Sequence, residues 1–76
     1  MRTPMTAAEI AELNAAYKAA IAADEDNNTH IVTHTVAIAA GLTVVHEDDQ
    51  SGVLYRNAAG RYVYGWESGG FDDQNV

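Results

Sequence analysis

The sequence predicts an α+β domain in which an N-terminal helix packs on a four-stranded antiparallel β-meander. Three observations predict it. A capping box opens a helical apolar stripe near the N-terminus, β-branched residues take over from Thr29, and the tripeptide Ala-Ala-Gly recurs at 39–41 and 58–60 between strand-like runs.

The helix comes first. Thr6-Ala7-Ala8-Glu9 has the spacing at which a hydroxyl and a carboxylate satisfy the amides left unbonded at a helix start. Ile10, Leu13, Tyr17 and Ile21 then share one face, and Glu12, Ala15, Lys18, Ala19 and Ala22 the other. The element is expected from about Ala7 to Ala23.

Thr29, Ile31, Val32, Thr33, Thr35, Val36 and Ile38 favour strand. Each Ala-Ala-Gly suits a three-residue hairpin loop closed by a left-handed glycine, and Asp48-Asp49-Gln50-Ser51-Gly52 suits a longer turn. Strands are therefore expected near 30–38, 42–47, 53–57 and 61–67. These loops set a register: His34 faces His46, His46 faces Leu54, Leu54 faces Tyr64 and Arg56 faces Tyr62. Alternation then puts Val32, Val36, Ile38, Leu42, Val44, Leu54, Tyr62, Tyr64 and Trp66 on one face, expected to lie under the helix. Thr33, Thr35, Ala37, Thr43, Val45, Tyr55 and Val63 fall on the other, and a one-residue slip in any loop would scramble the sorting. A competing reading makes residues 29–40 a second helix ending at Gly41, over a three-stranded meander; Ala37, Ala39 and Ala40 favour it.

The 76 residues make one domain, with residues 1–5 and 68–76 expected to be flexible ends. A chain of this size buries only about 60% of its unfolded surface, so disulfides, metals or association commonly reinforce it. It has no cysteine, which removes disulfides and thiolate metal sites and fits a reducing cytoplasm. No apolar leader segment is visible at the N-terminus. The weakly polar run Ile31–Val45 is too short and too polar to cross a bilayer, so no membrane role is expected.

Charge is the feature that bears on function. Eleven Asp and Glu stand against four Lys and Arg, a net charge of −7. Most of the acids fall in three clusters: Asp24-Glu25-Asp26, Glu47-Asp48-Asp49 and Asp72-Asp73. Such a field repels nucleic acid and acidic membranes and attracts basic surfaces. One reading of the clusters is a partner-facing surface; the other is solvated turns. The first cluster follows a helix C-terminus, where anions are disfavoured by about 0.3–1 kcal/mol each, and this tilts the choice toward a partner. The expected binding residues are Asp24, Glu25, Asp26, Glu47, Asp48 and Asp49. Tyr55 joins them because, with Val45 and Val63, it would form a small exposed apolar patch for a partner or a second copy. In the register above, the first two clusters share one end of the sheet, opposite both Ala-Ala-Gly loops.

Other chemistry finds little support. Asp24-x-Asp26-x-Asn28 imitates the start of a calcium loop, but Thr29 stands where glycine is needed and Thr35 where the closing glutamate is needed. The second cluster has Ala58 at the closing position. His34 and His46 would be cross-strand neighbours, with His30 roughly 13 Å along the strand; in the helical reading His30 and His34 are i, i+4, and neither arrangement has a third ligand. The row Tyr62, Tyr64, Trp66 lacks the basic groove that single-stranded nucleic acid requires. Ser51 and Ser68 have no histidine at a recognisable spacing, and no phosphate or dinucleotide loop occurs. The chain is thus expected to be a non-enzymatic protein without metal or cofactor. Its expected partner is a basic surface of a protein or ribonucleoprotein complex, with no direct nucleic-acid contact. A small structural or regulatory homo-oligomer, such as a homodimer, and acidity that merely suits a salt-rich cytoplasm, are the alternatives.

In size, acidity, alanine richness and lack of motif the chain resembles small phage-encoded inhibitors of bacterial defence, the anti-CRISPR proteins. Those proteins share no common fold or motif, so no residue carries over. The resemblance implies a target such as a CRISPR effector complex, whose nucleic-acid site carboxylates would occupy in place of backbone phosphates.

Overall fold

Helix formation at the N-terminus follows from the capping box. In a computed structural model, which describes residues 1–49 and 51–76, α1 spans Ala7–Ala23. The Thr6 hydroxyl accepts from the Glu9 amide at 3.2 Å, and the Glu9 carboxylate accepts from the Thr6 amide at 2.9 Å. Leu13 is buried, and Ile10, Tyr17 and Ile21 pack beside it on the core, as their spacing predicts.

The next segment is helical too. Residues 30–38, expected as the first strand, lie within α2, Thr29–Ala39, as the competing reading had it. Its β-branched residues disfavour a helix only weakly, and burial overrides them. Val32, Thr33, Val36 and Ala37 are buried, a period-3.6 stripe that strand alternation would have split between two faces. The Thr33 hydroxyl donates to the Thr29 carbonyl at 2.8 Å, so this buried polar group is satisfied inside the helix. Ala39-Ala40-Gly41 is consequently a helix terminus and not a hairpin loop. The Gly41 amide donates to Ile38 and the Leu42 amide to Ala37, each at 3.0 Å, with Gly41 at φ +83° and Leu42 buried: a Schellman cap with its apolar contact.

Among the described residues four strands follow: β1 (Thr43–Asp48), β2 (Gly52–Arg56), β3 (Tyr62–Trp66) and β4 (Phe71–Asp72), in the order β1-β2-β3-β4, all antiparallel. The α+β class and the four-stranded meander hold, with the fourth strand drawn from the tail. Ala58-Ala59-Gly60 does form a hairpin loop, with Gly60 at φ +82°. The pairings His46↔Leu54, Leu54↔Tyr64 and Arg56↔Tyr62 occur as expected. A bulge at Val45 moves Val44 opposite Tyr55, onto the face shared by Tyr55 and Val63.

The side-chain sorting along β2 and β3 is right, but the face that meets the helices is the opposite one. Tyr55 and Val63 are 1% and 0% exposed and pack with Leu13, Val32, Val36, Ala37 and Phe71. The expected exposed patch of Tyr55, Val45 and Val63 therefore does not exist; of the three only Val45 is at the surface. Gly65 explains the inversion. A Cβ there would lie 2.7 Å from the Tyr55 ring and 3.1 Å from the Thr33 methyl, so α2 approaches the sheet where β3 has no side chain. The bulkier row Tyr62, Tyr64, Trp66 turns to the far face. There Tyr64 meets Trp66 edge-on at 4.8 Å, and Arg2 lies over Tyr62.

Both end segments, expected to be flexible, are hydrogen-bonded to the sheet. The Met5 amide donates to Tyr62, the Tyr62 amide donates to Thr3, and the Met5 side chain is buried. Phe71 is buried, and the Asn14 side chain brackets its backbone, accepting from the amide at 2.8 Å and donating to the carbonyl at 3.0 Å. Glu9 ties α1 to the β2–β3 loop through a two-point contact with Arg61 at 2.9 and 3.0 Å and a bond from Asn57. The Arg61 bond, then the Thr6 amide, holds the Glu9 carboxyl down at about 2.

Candidate functional site

Helix α2 covers β3 and leaves β1 beyond the helical layer. Every residue of β1 is exposed, and among the described residues no strand lies on its outer edge. An open cleft of about 440 Å³ runs between α2 and the β1–β2 hairpin. Ile31, His34 and Thr35 form its helical wall, Val53 and Tyr55 its floor, and Glu47, Asp48 and Asp49 its far wall. His30 and Glu67 close the end nearest the α2 N-terminus. No lysine or arginine is among its described lining residues.

Tyr55 reaches the cleft from beneath. Its ring is core, tilted against Phe71 at 6.3 Å, and its hydroxyl lies 2.8 Å from His34 Nδ1. Burial, then the nearby Glu47 carboxylate, pushes the phenol up to about 12. The protonated phenol and His34 Nδ1 share this bond, and the imidazole tautomer sets which of the two donates. So high a value leaves Tyr55 ill matched to proton transfer near neutrality.

The second acidic cluster thus lines one wall of a concave site, and Glu67 joins it. Sequence reasoning missed Glu67; the signal is positional, since the Glu67 amide donates to Ser51 at 2.7 Å and its carbonyl accepts from the Thr29 hydroxyl at 2.8 Å. These two bonds hold Ser51, the residue after β3 and the start of α2 together. Asp24, Glu25 and Asp26 precede α2 at this same end but do not line the cleft. Asp24 has a local task, accepting from the Asn28 amide at 2.9 Å just ahead of α2. Asp72 and Asp73 lie elsewhere, in a shallow depression beside Ala7, Ile10 and Asn14.

His34 and His46 are not neighbours. His34 is on α2, whereas His46 pairs with Leu54, whose face points away from the helices. His30 and His34 are i, i+4 on α2, and no cluster of three or more metal-ligating side chains occurs among the described residues. No helix among them is long and apolar enough to cross a membrane. Comparison with protein-family models, with curated proteins and with solved structures gives no match to the chain.

Proposed function

We propose that this is a non-enzymatic acidic binding protein that occupies a basic surface of a partner, with the α2–hairpin cleft as the contact. The observation that carries the reading is the lining of that cleft, which has four carboxylates and no lysine or arginine among its described residues. Arg61 is paired with Glu9, outside the cleft. Opposite charge steers association and sets specificity more than it raises raw affinity, so binding should be fast and salt-sensitive. A partner whose basic surface normally holds nucleic acid, in a protein or a ribonucleoprotein complex, suits such a site. An inhibitor of the anti-CRISPR type, acting in a bacterial cytoplasm, is the specific form we favour.

The test is retention of bacterial lysate proteins on the immobilised chain at low and high salt, with E47Q/D48N/D49N alongside. Capture should fall with added salt, with the triple variant and with added duplex DNA or RNA as competitor. Retention indifferent to all three would overturn the reading. A homodimer is the competing reading, favoured by the exposed Ile31 and Ile38 on α2 and Val44 and Val45 on β1. It must bring together two chains of charge −7, and light scattering at micromolar concentration separates the two.

A further inference from the structure

We infer that β1 is a docking edge for an extended basic segment of another protein, which joins the sheet as a fifth strand and places its cationic side chains in the acidic cleft. This rests on the acidic-binding reading and adds the mode of recognition.

The first argument is the backbone. β1 is six residues long and exposed throughout, and β2 is the single strand beside it among the described residues. A strand edge of this kind is a template for a further strand, and proteins without a use for it usually cover or interrupt it. Here α2 packs against β3 and α1 against β4, and every residue of β1 stays exposed.

The second argument is shape beside that edge. The cleft opens on the helix-side face of β1, the face that receives alternate side chains of an added strand. Ile31, half exposed on α2, and Val44, 44% exposed on β1, offer apolar surface for the methylene stems of lysine or arginine. Glu47, Asp49 and Glu67 lie farther along, where the cationic ends would arrive.

Charge decides the occupant. A second copy would bring its own Glu47, Asp48 and Asp49 and a further charge of −7 to the same seam. The Val45 bulge and the acidic end of β1 are devices that discourage indiscriminate edge pairing. The same acids favour a strand with lysine or arginine at every other residue.

The probe is a short capped peptide of alternating lysine and valine, titrated calorimetrically into the full chain. Its control is the same peptide with its interior amides N-methylated, which keeps every charge but can donate no ladder bond. The parent peptide should bind, slow amide exchange at Thr43–Glu47, and bind about tenfold or more tighter than the methylated one. E47Q/D49N should weaken the parent peptide. Equal binding of both peptides would overturn strand addition and leave the acidic reading standing. A methylation penalty with no effect of E47Q/D49N would overturn the electrostatic part. Failure of both peptides to bind would overturn the inference outright, as would a dimer whose β1 amides are already protected without peptide.

Discussion

Replacing Gly65 by alanine should destabilise the fold substantially. The new Cβ would meet Tyr55 Cε2 at 2.7 Å, Thr33 Cγ2 at 3.1 Å and Phe71 Cε1 at 3.3 Å. The first of these needs the Tyr55 ring to retreat by several tenths of an ångström. That ring is 1% exposed, backed by Phe71 and held at its tip by His34, so it has no free direction. Overpacking of this kind costs about 1–3 kcal/mol, and the lack of a yielding neighbour puts Gly65→Ala in the upper half of that range. At about 4–8 °C per kcal/mol for a domain of this size, a loss of about 2 kcal/mol lowers Tm by roughly 8–16 °C. Urea unfolding followed by circular dichroism reads the same loss as a lower midpoint at unchanged slope. Gly41→Ala is the control: nothing lies within 4 Å of its Cβ, so only the left-handed backbone at φ +83° is penalised, by about 1–2 kcal/mol. A Gly65→Ala effect within about 0.5 kcal/mol of zero, the range of an ordinary surface substitution, would refute the close approach of α2 to β3 and with it the assignment of the inner face.

Tyr55→Phe removes one hydrogen bond from the cleft floor and should cost about 0.5–1.5 kcal/mol by denaturant titration, with most of the effect absent in a His34→Ala background. Because the folded phenol ionises near 12 and the unfolded one near 10, the unfolded chain loses its proton first; Tyr55 should lower stability as pH rises between those values, and Tyr55→Phe should flatten that decline. Glu9 acts at the other extreme. Its folded carboxyl is depressed to about 2 from 4.5, so its contribution is complete above 4.5 and is lost as pH falls through about 2, a dependence that Glu9→Gln or Arg61→Ala should remove in acid-unfolding curves. Phe71→Ala should cost about 3–5 kcal/mol by urea unfolding, the price of an emptied aromatic site in the core, whereas loss of an unattached tail would cost nothing.

Local signals in the sequence proved legible and the choice between competing local signals did not. The capping box at Thr6 and Glu9 is local to the start of α1 and marks it. Ala58-Ala59-Gly60 and its neighbours set the β2–β3 register because a hairpin loop constrains residues that are already adjacent. The identical tripeptide at 39–41 shows the limit. A helical turn followed by a left-handed glycine ends a helix as readily as it closes a hairpin, and the β-branched residues before it favour strand. What distinguishes the two is the burial of Thr33 and Ala37 together with Val32 and Val36, a tertiary fact. Reversal of the sheet face has the same origin. Leu54 and Tyr64 look more like core than Tyr55 and Gly65 do, and both are indeed 3% exposed, but the core beneath the helices was chosen by where a helix can approach closely. Phe71 was lost in a glycine-rich, acidic tail because its bracket, Asn14, lies 57 residues away.

Placement of the acids follows from the same geometry. A strand at 30–38 would have paired with β1 and covered its edge; as a helix, the segment rises onto β3 and leaves β1 bare. Helicity at residues 29–39 therefore also makes the cleft, because the helix wall and the hairpin wall are separate elements with Tyr55 between them. Glu47, Asp48 and Asp49 accordingly form the rim of a concavity. Edge and carboxylates thus share one structural cause. A partner that used the acids alone would leave the β1 edge to solvent, and one that used the edge alone would have to tolerate a wall of like charge. An extended cationic segment satisfies both.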